Sequence, residues 1–149
     1  VTAMAGTVHA SAVWVDGAGV LIRGPSGCGK SSLLLALLMA DRPASRLVAD
    51  DRVHLAAVAG RLQASVPGIL AGLLEIRGQG LVTVPYLSPV SIDLVVDLEP
   101  IERCARMPEE ADRTAQIEGV AVRRLALPLG QADGWIRVRA ALAFRSAIV

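Results

Sequence analysis

The 149-residue chain has almost no aromatic side chains: Trp14, Trp135, Tyr86 and Phe144 are all of them, although 53% of the sequence is hydrophobic, so its core must be aliphatic. Charge of either sign is not in excess. The formal net charge is +1, so no long-range field draws the chain to nucleic acid or to an anionic membrane, and any basic docking surface is local. Cysteine is scarce too: Cys28 and Cys104 have neither metal-ligand spacing nor the density of a secreted disulfide scaffold, which points to a reducing cytoplasm. The longest apolar run, Leu33 to Ala40, is too short to cross a bilayer, and the first residues lack the basic start of a signal peptide. There is no internal repeat and no low-complexity linker. The length fits one domain, so residues 1–149 are expected to pack as a single soluble, cytoplasmic unit.

What the chain does have is alternating strand and helix signals. Thr7 to Asp16 is rich in small and β-branched residues, Asp16 to Gly19 is a turn cluster, and Val20 to Ile22 is a buried-strand run, which together predict a hairpin. Lys30 to Ala40 contains no Gly or Pro and is dense in Leu and Ala, predicting a helix that stops near Asp41 to Pro43. Further strands are expected at 46–49, through Val53, Leu55 and Val58 to a Gly60 turn, at 74–77, at 81–84, at 91–98 and at 120–127. Pro67 to Gly72 reads as a loop or short helical turn, 99–118 as a short helix with an exposed loop, and 132–145 as a terminal helix. This is an α/β pattern.

The strongest motif joins the first hairpin to the first helix. Gly24-Pro25-Ser26-Gly27-Cys28-Gly29-Lys30-Ser31 matches G-x-x-x-x-G-K-[ST] without exception, in the strand, loop, helix context that a phosphate-binding P-loop needs. Its glycines let the backbone curl so that successive N–H groups point inward, and the following helix aims its positive end at the same place. Lys30 supplies a charge for the β- and γ-phosphates, and Ser31 a hydroxyl for Mg²⁺. Cys28 fills a variable position.

Asp50 and Asp51 close the strand that ends at Ala49. A carboxylate there can serve magnesium, orient and deprotonate an acceptor hydroxyl, or cap a solvated turn. Neighbouring residues on a strand point to opposite sides, so the two acids are expected to have different tasks. Glu75 and Arg77 precede the Gly78-Gln79-Gly80 break, where backbone can approach a ligand.

Three motifs taken together, GPSGCGKS, LVADDRV over 47–53 and LEIRGQGLVTV over 74–84, resemble the HPr kinase/phosphorylase catalytic domain in order and separation, and His9 stands where that family has an active-site histidine. The resemblance covers His9 to Val84. It implies a P-loop α/β fold of the phosphoenolpyruvate carboxykinase-like type, a mixed sheet with flanking helices, and an ATP- and Mg²⁺-dependent protein serine kinase. Its substrate would be HPr, the small phosphocarrier of the sugar phosphotransferase system, and its assembly a hexamer. By the same resemblance Asp50 is the acid-base residue for the acceptor serine, His9 bonds into that cluster, and Ser31 with Glu75 binds Mg²⁺. Arg77 to Thr83 belongs to a loop shared by the forward and reverse reactions, and Arg106 matches an active-site arginine.

Three departures from the family pattern stand out. The chain starts almost at the catalytic domain, as in short family members; Ser32 replaces an acidic residue; and 127–132 lacks the family's basic stretch linked to dephosphorylation. Phosphorylation is therefore a firmer expectation than phosphorolysis. Two other readings share the loop: a P-loop kinase of a small metabolite, and a non-catalytic nucleotide-sensing module.

Overall fold

A computed structural model describes residues 6–40 and 44–145. In chain order its elements are β1 (Thr7–His9), β2 (Ser11–Val15), β3 (Ala18–Arg23), α1 (Lys30–Ala40), β4 (Arg46–Ala49), β5 (Arg52–Val58), β6 (Arg61–Ser65), β7 (Leu73–Ile76), β8 (Gly80–Thr83), β9 (Val90–Glu99), β10 (Thr114–Ile117), β11 (Val120–Pro128) and α2 (Gly134–Ala143). The mixed sheet with few helices is the expected class. The stop expected for α1 at 41–43 lies outside the described residues.

Strand β9 is the spine. Its run of ten residues pairs antiparallel with β6 at its start and parallel with both β3 and β11 further along. The sheet order is β1-β5-β6-β9-β3-β2-β4, with β11 on β9 and β10 on β11. Because β3 and the middle of β9 are covered on both faces, Val20 to Ile22 and Leu94 to Val96 read as continuous apolar runs, while the rest of β9 alternates. Val20, Ile22, Leu94 and Val96 face one cluster with Leu34 and Leu37 of α1 and Val138 of α2. Leu21 and Val95 face a second cluster made with Val53, Leu62 and Ala64 of the β5–β6 hairpin. Leu33, Leu34, Leu37 and Leu38 are the buried stripe of α1, at the three- and four-residue spacing of one helix face. The core is aliphatic, as the shortage of aromatics requires.

Three local differences from the sequence reading matter. The stretch before Asp16 is not one strand: it breaks at Ala10, so that β2 pairs with β3 and β4 while β1 pairs with β5, and His9 comes to lie opposite Arg52. The polar segment 99–118 holds no α-helix. It contains short 3-10 turns at Ile101–Arg103 and Glu110–Arg113 and then β10, whose Ile117 is buried against the second cluster. The terminal helix is shorter than expected, beginning at Gly134 and ending at Ala143. Its tail, Phe144, is exposed.

Candidate active site

The phosphate loop hangs from the end of β3, beside the end of β9, and runs directly into α1. Two of its glycines are dictated by geometry. Gly29 has φ +98, a conformation that L side chains rarely adopt, and a Cβ on Gly24 would stand 2.6 Å from Cys28 Sγ and 3.2 Å from Leu98 Cβ. The loop is therefore wrapped tightly over β9, with the unpaired N–H groups of the first turn of α1 at its mouth. Lys30 is only 6% exposed. Its Nζ donates to the carbonyl oxygens of Gly24 (2.8 Å) and Pro25 (3.1 Å), so the buried ammonium is satisfied by the loop it belongs to.

Asp50 and Asp51 do not continue a strand. The Arg52 N–H donates to the Asp50 carbonyl at 2.8 Å, closing a three-residue turn whose central residue, Asp51, has φ +70, in the left-handed region that few side chains other than glycine adopt. Such conformations cost free energy and cluster at functional sites. The turn sends the two carboxylates to different partners. Asp51 Oδ1 accepts a hydrogen bond from His9 Nε2, which the break between β1 and β2 makes possible. Asp50 Oδ1 accepts from Ser11 Oγ at 3.3 Å, and Oδ2 from the Glu75 N–H at 3.5 Å. Burial pushes the Asp50 carboxyl above the ordinary carboxylate range, against the lowering pull of those two hydrogen bonds and with a further push from the neighbouring Asp51 and Glu75 charges.

A cleft of about 540 Å³ collects these parts: His9, Asp51, Glu75 and Arg77 line it together with the loop from Ser26 to Ser32. Gly24 and Pro25 are not part of the lining and are joined to it through their carbonyls, which accept from Lys30. Asp50 sits just behind the lining, between Ser11 and the backbone of Glu75. Gly78 and Gly80, both at positive φ, turn the β7–β8 hairpin that carries Glu75 and Arg77 to the cleft. Arg106 is not brought here. The 3-10 turn at Ile101–Arg103 carries its segment to a neighbouring cleft of about 650 Å³, shared with Arg103, Arg124 and Arg137.

Two residues escaped the sequence reading. Ser11, 1% exposed, holds both acids at once, donating to Asp50 and accepting the Asp51 N–H at 3.1 Å. Asp97, at the end of β9, accepts a two-pronged hydrogen bond from Arg23 (2.8 and 2.9 Å) and another from Arg124 (2.6 Å). Burial alone would raise its carboxyl, but the two guanidiniums hold it below the usual carboxylate range. This clamps β3, one residue before Gly24, to the spine of the sheet. An acid followed two residues later by Glu99 at a strand end was the only signal available for it.

The residues present fit a nucleotide and its metal. Among the described residues no group of three or more His, Cys, Asp or Glu side chains could hold a metal alone. Mg²⁺ is commonly held by one or two carboxylates plus substrate phosphates, and the Ser31 hydroxyl and Glu75 carboxylate could supply the protein's share.

With this geometry in hand, comparison with known proteins is decisive. The sequence model described as HPr Serine kinase C-terminal domain matches residues 2–141. The chain belongs to this family. Its relatives include the HPr kinase/phosphorylase of Clostridium tetani, 35% identical over 135 residues, covering 82% of this chain and 42% of that protein. That of Caldanaerobacter subterraneus subsp. tengcongensis is 42% identical over 101 residues, covering 62% of this chain and 32% of that protein. The chain thus spans about two fifths of the length of the first of these. The structure of the Hpr(Ser) kinase/phosphatase from Coxiella burnetii superposes with a TM-score of 0.77 at 27% identity, covering 93% of this chain and 95% of that one. Family and fold are those the motifs imply. No helix among the described residues is long and apolar enough to cross a membrane.

Proposed function

We propose that this chain is an ATP-dependent serine kinase acting on an HPr-like phosphocarrier protein in the cytoplasm. The observation that carries the reading is the single cleft in which the phosphate loop from Ser26 to Ser31 faces His9, Asp51, Glu75 and Arg77, with Asp50 immediately behind. Lys30 and the loop amides hold the phosphates. Ser31 and Glu75 hold Mg²⁺, which when bound offsets phosphate charge. Asp50 accepts the proton of the acceptor serine, whose oxygen forms a bond to the γ-phosphorus while the bond from that phosphorus to the β–γ bridging oxygen breaks. An acid whose carboxyl is raised by burial is a better proton acceptor than an ordinary aspartate. His9 fixes Asp51, and the pair shapes the electrostatic field in which Asp50 works. Positioning and charge neutralisation carry most of the catalysis, because phosphoryl transfer asks for little covalent help.

One observation favours a second assignment of the base. Asp51 itself lines the cleft and is bonded to His9, so the Asp51–His9 pair could take the proton instead. Arg106 has no step in either version, since it lies in the other cleft. Assembly as a hexamer, as the family resemblance implies, belongs to the same proposal.

Incubation with γ-labelled ATP, Mg²⁺ and purified HPr tests the reading. Label on a serine of HPr supports it; label on a small metabolite, or binding without transfer, replaces it by one of the two rivals. Lys30→Ala should abolish transfer, and full activity in that variant would reject the site.

A further inference from the structure

The phosphate cleft has a neighbour. Gly29, Ser32 and Gly130 border both it and a second cleft of about 280 Å³ between α1 and the start of α2. The second cleft is walled by Leu33, Ala36, Leu127 and Trp135, with Gln131 among its polar groups. Asp133, also there, is paired with Arg137 at 3.3 Å. The volume lies just under the ~300 Å³ at which small-molecule clefts begin.

From this placement we infer that the second cleft holds the nucleoside part of the nucleotide, with the base against Trp135. The inference rests on the nucleotide reading above and gives the bound molecule a direction. In-line transfer puts the attacking oxygen and the leaving group on opposite sides of the γ-phosphorus. The acids and His9 mark the attacking side. The leaving diphosphate and everything attached to it must therefore run the other way, along the loop amides towards Gly29 and Ser32, where the second cleft opens. Aliphatic walls and one indole suit a flat heteroaromatic ring, and the Gln131 amide can both donate to and accept from its edge. An acceptor side chain, by contrast, must enter where Asp50 is.

The experiment compares ATP with inorganic tripolyphosphate, which can use only the loop, each with Mg²⁺. By calorimetry ATP should bind at least about fivefold more tightly, the gain of one stacked base. Ala36→Leu, which fills the cleft without breaking α1, should bring ATP down to the tripolyphosphate level and leave tripolyphosphate unchanged. In the unaltered protein ATP should change tryptophan emission while tripolyphosphate does not, and Trp135→Phe should remove that change, because Trp14 lines a different cleft. Equal affinity for the two ligands, a silent Trp135, or an Ala36→Leu variant that binds ATP normally or loses both ligands alike would each overturn the inference. If tripolyphosphate binds and only these signals fail, the phosphate-loop reading stands; if neither ligand binds, that reading fails first.

Discussion

Ser11→Ala removes one oxygen atom from a fully enclosed position, and the structure says what that atom does. Its hydroxyl donates to Asp50 Oδ1 at 3.3 Å and accepts the Asp51 N–H at 3.1 Å. A hydrogen bond to a charged group contributes about 1.5–3 kcal/mol, and a long one belongs at the lower end; an orphaned N–H costs about 1–3 kcal/mol. We take about 2 kcal/mol for the whole change, since the alanine also relieves the buried hydroxyl of its own desolvation. For a chain of this size that is a fall in Tm of about 4–8 °C. The second effect is on titration. The Ser11 hydrogen bond lowers the Asp50 carboxyl against the upward push of burial, so its loss raises that carboxyl further. A base must be ionised, so the acid limb of the pH–rate profile should move to higher pH, and activity should fall most at low pH. Thermal melts and initial rates across the acid limb read the two effects separately. A variant that melts within a degree of the parent and keeps its acid limb in place would refute the reasoning, because neither acid would then depend on this serine.

Asp50→Asn should make the fold more stable at neutral pH even as it stops transfer. The sign follows from the raised carboxyl: the ionised form is disfavoured in the folded state, so stability falls as pH rises from the unfolded value through the folded one, and the neutral amide escapes this. Denaturant midpoints at neutral and acid pH check it, the difference from the parent vanishing below the ordinary carboxylate range. Asp97→Asn should have the opposite effect, a loss of about 2 kcal/mol, less than the ~3–5 of a fully buried pair because Arg23 is 37% exposed. Asp97 is held below its ordinary range, so the stability it adds is complete above the unfolded value and disappears as pH falls through the folded one; melts along an acid series should show parent and variant converging. Gly24→Ala should abolish nucleotide binding through its 2.6 Å collision with Cys28 Sγ, and adding Cys28→Ala should restore part of it; calorimetric titration with ATP reads both.

The phosphate loop was legible because its chemistry fixes residue types at fixed spacing, and α1 because a Leu- and Ala-rich run without breakers has few other outcomes. The acid pair was legible from its place at a strand end, but the link from His9 to it only through resemblance: forty-two residues separate His9 from Asp51, and what joins them is the pairing of β1 with β5 after a break at Ala10, for which the small residues around it give no period. Ser11 was hidden for a related reason. A single serine in an otherwise apolar strand looks like an ordinary substitution until the turn at Asp51 is seen to need an acceptor. The acids lie at the end of the strand that closes at Ala49, as expected, but the shape of their turn was not legible, because Asp51 takes a positive φ, which local propensity argues against and only tertiary contacts sustain. Strand β10 was masked by the polar residues before it, its burial depending on one side, Ala115 and Ile117. Arg106 was placed by resemblance alone, beyond the His9 to Val84 stretch that the motifs cover, and the structure puts it in the other cleft.

The account turns on which acid takes the serine proton while the loop holds the nucleotide. Single-turnover transfer from loop-bound ATP to HPr, measured in Asp50→Asn and Asp51→Asn with calorimetry confirming that both still bind ATP, tests it most directly. The account predicts a rate lower by about 10²–10⁴ for Asp50→Asn, the usual share of a general base, and a smaller loss for Asp51→Asn. A near-normal rate in Asp50→Asn, with the collapse in Asp51→Asn instead, would contradict it.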